Sequence, residues 1–210
     1  MPDTQQPTLY HGSPSRSSTI LWMLEEVGTP YDVQLLDLTA GDQLKPAFLA
    51  INPMGKVPAL AHRGMVVTEV PAICAYLADA FPAAGLAPKL DDPARGTYLR
   101  WLVFSTAAFE PAVITRAMKW EGGRRAMLGY GDFDTTMETA AAAVRAGPWL
   151  LGEHFSAADV TLGAQIRWTT QFKLIPDKPE FAAYIARLEA RPALQRATTR
   201  DAEFAKAKGA

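Results

Sequence analysis

One cysteine, Cys74, stands in a chain of 210 residues. That scarcity excludes an intramolecular disulfide framework and fits a reducing compartment. Long apolar runs are also missing: charge interrupts every one before the ~18 residues that a membrane span needs. Met1 to Thr8 is polar, with neither a basic region nor an apolar core, so no secretory leader is expected. Charge of one sign is absent as well. A formal net charge of -1 provides no field for gathering nucleic acid or docking on an acidic membrane surface. The three histidines, His11, His62 and His154, lack the spacing of metal ligands, and no metal is expected. What is present is ordinary: 49% hydrophobic and 20% charged residues, in a chain long enough to bury one large core or two small ones. A cytoplasmic globular protein is the expectation.

Periodicity divides the chain. Thr8–His11 reads as a short strand, followed by the small polar run Gly12–Ser15. From Arg16 to Val27 the set Ile20, Leu24 and Val27 marks an amphipathic helix with Glu25 and Glu26 on its other side, ended by Gly28 and Pro30. Tyr31, Val33 and Leu35 alternate as a half-buried strand, and 40–51 reads as a loop with a short helix. Val57–Leu60 and Met65–Val67 flank the hairpin turn His62-Arg63-Gly64, and Ile73, Tyr76, Leu77 and Ala80 form one face of a further helix. The predicted order is β-α-β-α-β-β-α over 1–83. Proline-rich 84–93 reads as a linker. Beyond it, 94–210 is all helical, with a long helix over Ala94–Trp120 that Pro111 kinks or splits. Ser156-x-x-Asp159 opens a later helix as a capping box, and Pro192 starts the last one.

Two stretches carry the chemistry: Asn52–Leu60, N-P-M-G-K-V-P-A-L, and Thr68–Leu77, T-E-V-P-A-I-C-A-Y-L. The first enters a strand through an X-Pro bond, and the second opens a helix beside an acidic residue. Together they suit a small peptide-like anion, since the free N–H groups and dipole of a helix start favour a carboxylate. With the element order and Phe155-Ser156-Ala157-Ala158-Asp159-Val160, they resemble the soluble, bacterial-type glutathione S-transferases across nearly the whole chain.

The resemblance implies a thioredoxin-like domain that binds glutathione as co-substrate. It also implies an all-α domain forming a pocket for a small apolar electrophile, and a homodimer. The Val57-Pro58 bond is then expected to be cis, with the main chain of Val57 pairing with the cysteinyl residue of glutathione. Glu69 and Val70 receive the γ-glutamyl end, and Lys56 pairs with a ligand carboxylate or stays solvated. One departure stands out: the family usually has serine or threonine where this chain has Val70, and Pro71 removes an N–H from the helix start. The activating group is expected between the first strand and helix. Ser13, read as N-cap before Pro14 at N1, either donates to the thiolate or only caps the helix, and Tyr10 is the second candidate donor. Ser15 and Ser17 are read as lying within the helix. With no cysteine in that loop, glutaredoxin-like thiol exchange is not expected. Phe104 and Trp168 are the pocket residues chosen from an aromatic stripe of a kind that more often marks a core. The expected activity is thiolate attack on an electrophile. Alternatives are another glutathione-dependent reaction (isomerase, dehalogenase, lyase or peroxidase) and a non-catalytic carrier or interaction protein of the same fold.

Overall fold

A computed structural model describes residues 5–121 and 123–207. By packing, the chain divides into two units. One runs through residue 84 and takes in the chain again from 191; the other spans 85–190.

In the first unit, β1 (Thr8–His11), β2 (Asp32–Leu35), β3 (Ala59–His62) and β4 (Met65–Thr68) form one sheet in the order β2-β1-β3-β4. β1 and β2 run parallel, while β3 is antiparallel to both β1 and β4. The hairpin between β3 and β4 turns on Arg63 and Gly64, with φ of 50° and 76°. Two successive residues at positive φ match the right-handed twist of the strands they join. Helices α1 (Ser17–Val27), α2 (Pro46–Leu49) and α3 (Val70–Ala80) complete the expected β-α-β-α-β-β-α order. Leu9 of β1 lies opposite Leu60 of β3, and both are fully buried with Ile20 and Leu24 of α1 and Ile73 and Leu77 of α3. Each such side chain contributes roughly 1.5–3 kcal/mol of burial. Cys74 is buried in α3, and burial pushes its thiol well above the ordinary range.

The last helix, α9 (Pro192–Ala207), belongs to this unit and not with the other helices, because it packs along α1. That explains why α1 is buried at Ile20, Leu21, Trp22, Met23 and Leu24 in succession instead of along one stripe. Glu25 and Glu26, read as the outer side of α1, meet arginines from the α9 end of the chain: Arg196 and Arg200 at Glu25, and Arg191 at Glu26 through two 2.7 Å contacts.

The second unit holds α4 (Ala94–Phe104), α5 (Glu110–Ala117), α6 (Phe133–Arg145), α7 (Ala157–Gln171) and α8 (Pro179–Glu189). The predicted helix over 94–120 ends at Ala117 and contains one π-helical turn, Ser105–Phe109, directly before Glu110-Pro111. Pro111 has no N–H to donate and its ring crowds the carbonyl four residues back, so the wider turn relieves the clash without splitting the helix. At the start of α7 the Asp159 carboxylate accepts from Ser156 N–H (2.9 Å), Leu150 N–H (2.8 Å) and Tyr184 Oη–H (2.8 Å), tying three segments together. No helix among the described residues is long and apolar enough to cross a membrane.

Candidate functional site

Register brings the two motif stretches and the end of β1 to one end of the sheet. Tyr10 pairs with Ala59, and Ala59 with Thr68. Continuing each ladder sets the β1–α1 loop, Val57-Pro58 and the Glu69-Val70 step side by side.

The segment before β3 is fixed by Asn52, 3% exposed. Its Nδ2 donates to Lys56 O (2.8 Å), its Oδ1 accepts from Met54 N–H (3.1 Å), and its carbonyl accepts from Gly55 N–H (2.9 Å). Gly55 has φ of 61°, and a Cβ there would meet Gln43 O at 3.1 Å. This turn delivers Val57, whose bond to the buried Pro58 is cis, as expected. Among the described residues neither the N–H nor the C=O of Val57 has a hydrogen-bond partner. Lys56 is exposed.

Glu69 occupies the N-cap of α3 with φ 68° and ψ 121°, a conformation costly for any residue but glycine. It places Val70 at N1 and Pro71 at N2, so the missing proline N–H falls among first-turn groups that have no intrahelical acceptor anyway. The Val70 N–H remains to meet an anion, without a side-chain hydroxyl beside it.

The β1–α1 loop differs from its sequence reading. α1 begins at Ser17 with Arg16 at the N-cap, so Ser13 is not the cap, and Ser15 lies before the helix and not within it. Ser15 does the capping: its Oγ accepts from Ser17 N–H (3.1 Å) and its carbonyl from Ser18 N–H (3.2 Å). Ser13 lies beside Asp201 of α9. Burial alone would raise the Asp201 carboxyl, but hydrogen bonds from His11, Ser18 and Ser13 outweigh it and hold the group below the usual carboxylate range. Ser17 is buried against His11, with Oγ 2.7 Å from Nδ1. Gly12 has a steric reason: a Cβ there would fall 2.6 Å from Leu38 Cγ. Tyr10 points to the opposite sheet face from His11 and packs against Phe48 of α2, ring centroids 5.7 Å apart.

Phe104 and Trp168, both half-buried in the second unit, belong to separate ring pairs: Phe104 with Trp101 at 5.2 Å and Trp168 with Phe172 at 6.3 Å. A cavity of about 310 Å³ in that unit is lined by Thr170, Asp177, Lys178, Pro179, Phe181 and Ala182, and includes neither. No metal-ligating cluster occurs among the described residues.

A four-stranded sheet entered through a cis proline and followed by a helical region is the architecture of a thioredoxin-like domain joined to an all-α region. Residues 5–79 match the family model described as "Glutathione S-transferase, N-terminal domain". A glutathione transferase from Methylococcus capsulatus is 30% identical and superposes with a TM-score of 0.76, covering 93% of this chain and 98% of that one. A sphingomonad glutathione S-transferase complexed with glutathione is 26% identical with a TM-score of 0.76, covering 93% and 98%. Glutathione S-transferase 3 of Schizosaccharomyces pombe is 33% identical over 106 residues, half of this chain and 43% of that protein. This chain thus spans less than half the length of that curated relative. The chain belongs to the glutathione S-transferase family.

Proposed function

We propose that this protein is a glutathione transferase. In this reading the Val57 N–H and C=O pair with the cysteinyl residue of glutathione as an added strand, and the start of α3 at Glu69 and Val70 receives its γ-glutamyl carboxylate. Lys56 lies within the same turn to meet a second carboxylate. The observation that carries the reading is the pair of unpartnered main-chain groups at Val57, buttressed by Asn52 and Pro58 and set beside a helix N-terminus. The sphingomonad relative, solved with glutathione, supports the choice of ligand.

The clasp directs sulfur toward the end of β1, where Ser13, Ser15 and Tyr10 carry hydroxyls. A hydrogen bond from one of them stabilises the thiolate, whose free thiol has a pKa near ~8.5. Each unit of depression takes about 1.4 kcal/mol. The thiolate then attacks a small apolar electrophile, for which Phe104 and Trp168 are the candidate contacts. Cytoplasmic location, a homodimeric assembly and a role in removing reactive electrophiles complete the proposal.

Calorimetric titration with glutathione and a pH titration of bound thiolate absorbance test it. Binding with a depressed thiol pKa is expected. Binding with an unshifted thiol indicates a carrier, and no heat at millimolar ligand removes the reading.

A further inference from the structure

Apart from the main-chain groups at Val57 and Val70, the first unit holds a buried imidazole between a carboxylate and a pair of hydroxyls. His11, at the end of β1, is fully buried. Its Nε2 lies 3.0 Å from Asp201 Oδ1 of α9, and its Nδ1 lies 2.7 Å from Oγ of Ser17, the first residue of α1. Ser17 Oγ lies 2.7 Å from Ser15 Oγ. The Phe204 ring packs against the imidazole, centroids 5.6 Å apart, and Ser18 Oγ–H donates to the other oxygen of Asp201 at 2.6 Å. Ser17 is buried with His11, whereas Ser15 is half-exposed, so the row runs from the core to the surface.

An ionised carboxylate only accepts, so His11 Nε2 carries hydrogen and Nδ1 of the neutral ring accepts. Ser17 Oγ–H, nearer to Nδ1 than to the Gly12 carbonyl at 3.4 Å, donates to the imidazole. Its oxygen accepts in turn from Gly12 N–H at 3.2 Å and from Ser15 Oγ–H. Ser15 Oγ accepts from Ser17 N–H at 3.1 Å, at the N-terminus of an 11-residue helix, where the dipole favours negative charge on that oxygen. A hydroxyl is a weak nucleophile until a base takes its proton, and a carboxylate that orients the base also stabilises the imidazolium that forms. Such a Ser, His and Asp set is recognised by geometry and roles, not by order along the chain.

We propose that Ser15 is a nucleophile toward small activated esters, with Ser17 as proton relay, His11 as base and Asp201 as the orienting carboxylate, an activity that needs no glutathione. In acylation, Ser15 Oγ bonds to the acyl carbon and the bond from that carbon to the departing phenolate breaks. The Ser15 proton passes to Ser17 Oγ while the Ser17 proton passes to His11 Nδ1, and Asp201 holds the imidazolium. Water then adds to the acyl carbon and the bond to Ser15 Oγ breaks. The proton returns from His11 through Ser17 to Ser15, leaving the carboxylic acid and the free hydroxyl. Ser15 alone of the four touches the ester; Ser17, His11 and Asp201 are positioning residues that act on it from the core.

The test is made on the full chain without glutathione, so its outcome is independent of whether glutathione binds. Diisopropyl fluorophosphate is the first probe: the Ser15 Oγ–P bond forms, the P–F bond breaks, fluoride leaves, and peptide mass spectrometry locates the adduct. An adduct at Ser15 is expected, formed about 100-fold or more faster than on an unactivated serine peptide, the lower end of general-base assistance. The second probe, p-nitrophenyl acetate, is expected to release nitrophenolate at a rate that Ser15→Ala abolishes. Asp201→Asn is expected to slow both reactions about tenfold or more, and Asp201→Glu, which keeps the carboxylate, to recover most of that loss. Thermal melts followed by circular dichroism establish that each variant is folded. No adduct, or an adduct on a residue other than Ser15, overturns the nucleophile. An Asp201→Asn protein that reacts at the wild-type rate, or Asn and Glu variants slowed alike, overturns the relay.

Discussion

Asn52 uses both ends of its amide inside one turn, holding Lys56 O and Met54 N–H, and so sets where Val57 presents its main chain. Asn52→Ala leaves those groups without their partner; a loss of about 1–3 kcal/mol is expected in urea unfolding, together with weaker glutathione binding by calorimetry. Val70 offers the converse experiment. Val70→Ser supplies a hydroxyl beside the N1 amide at the mouth of α3. A gain of about 1.5–3 kcal/mol in glutathione binding, roughly one to two decades in Kd, is the expected outcome of a titration. At this scale the cis Val57-Pro58 bond and the helix start at Glu69-Val70 were legible, because these residues lie in two short motifs whose geometry is local. Ser13 was not. A serine before proline reads as a cap, but α1 begins only at Ser17 and Ser15 takes over its start.

Among the elements, α1 shows most clearly what a local pattern leaves out. It lies between the sheet and α9, and its two acidic residues are the sockets for the arginines of the returning chain. The Glu26 side chain is 5% exposed and receives Arg191 and Trp22 Nε1–H together. Arg191→Ala strands that carboxylate, and a loss of about 3–5 kcal/mol is expected in equilibrium unfolding. In the second unit, α7 and α8 pack closely at Gly163, where a Cβ would fall 2.6 Å from Leu188 Cδ1. Gly163→Ala therefore overpacks a fully buried contact, and destabilisation of about 1–3 kcal/mol should appear as a lower melting temperature. The existence and order of the elements followed from periodicity and from their Gly and Pro boundaries. The continuation of α4 into α5 through a π turn did not, since Pro111 signals a broken ladder without saying how the helix accommodates it.

For the whole molecule, the contact between α1 and α9 is expected to be the acid-sensitive part. Burial alone would raise the Glu25 carboxyl, but hydrogen bonds from Tyr31, Arg196 and Arg200 hold it below its ordinary value, and Asp201 is lowered likewise. A carboxylate depressed in the folded state contributes its stability in full above its unfolded pKa, near ~4, and loses it as pH falls through the lower folded value. Protection of the α9 amides, measured against their intrinsic exchange rate at each pH, should thus be unchanged from pH 7 to about pH 5 and fall below pH ~4 before that of the sheet. A uniform loss of protection across the first unit would contradict this. The sequence alone determined the β-α-β-α-β-β-α order, the helical remainder, the glutathione-family motifs and the end of the sheet at which they meet, because each follows from hydrogen-bonding and burial patterns within a few turns of chain. Tertiary structure alone decided that the last helix returns to the first unit, that Glu25 and Glu26 are paired and not solvated, and which side chains the serines of the first loop meet. Those outcomes depend on groups some 165–190 residues apart meeting in space, and no local pattern of side chains encodes such a meeting.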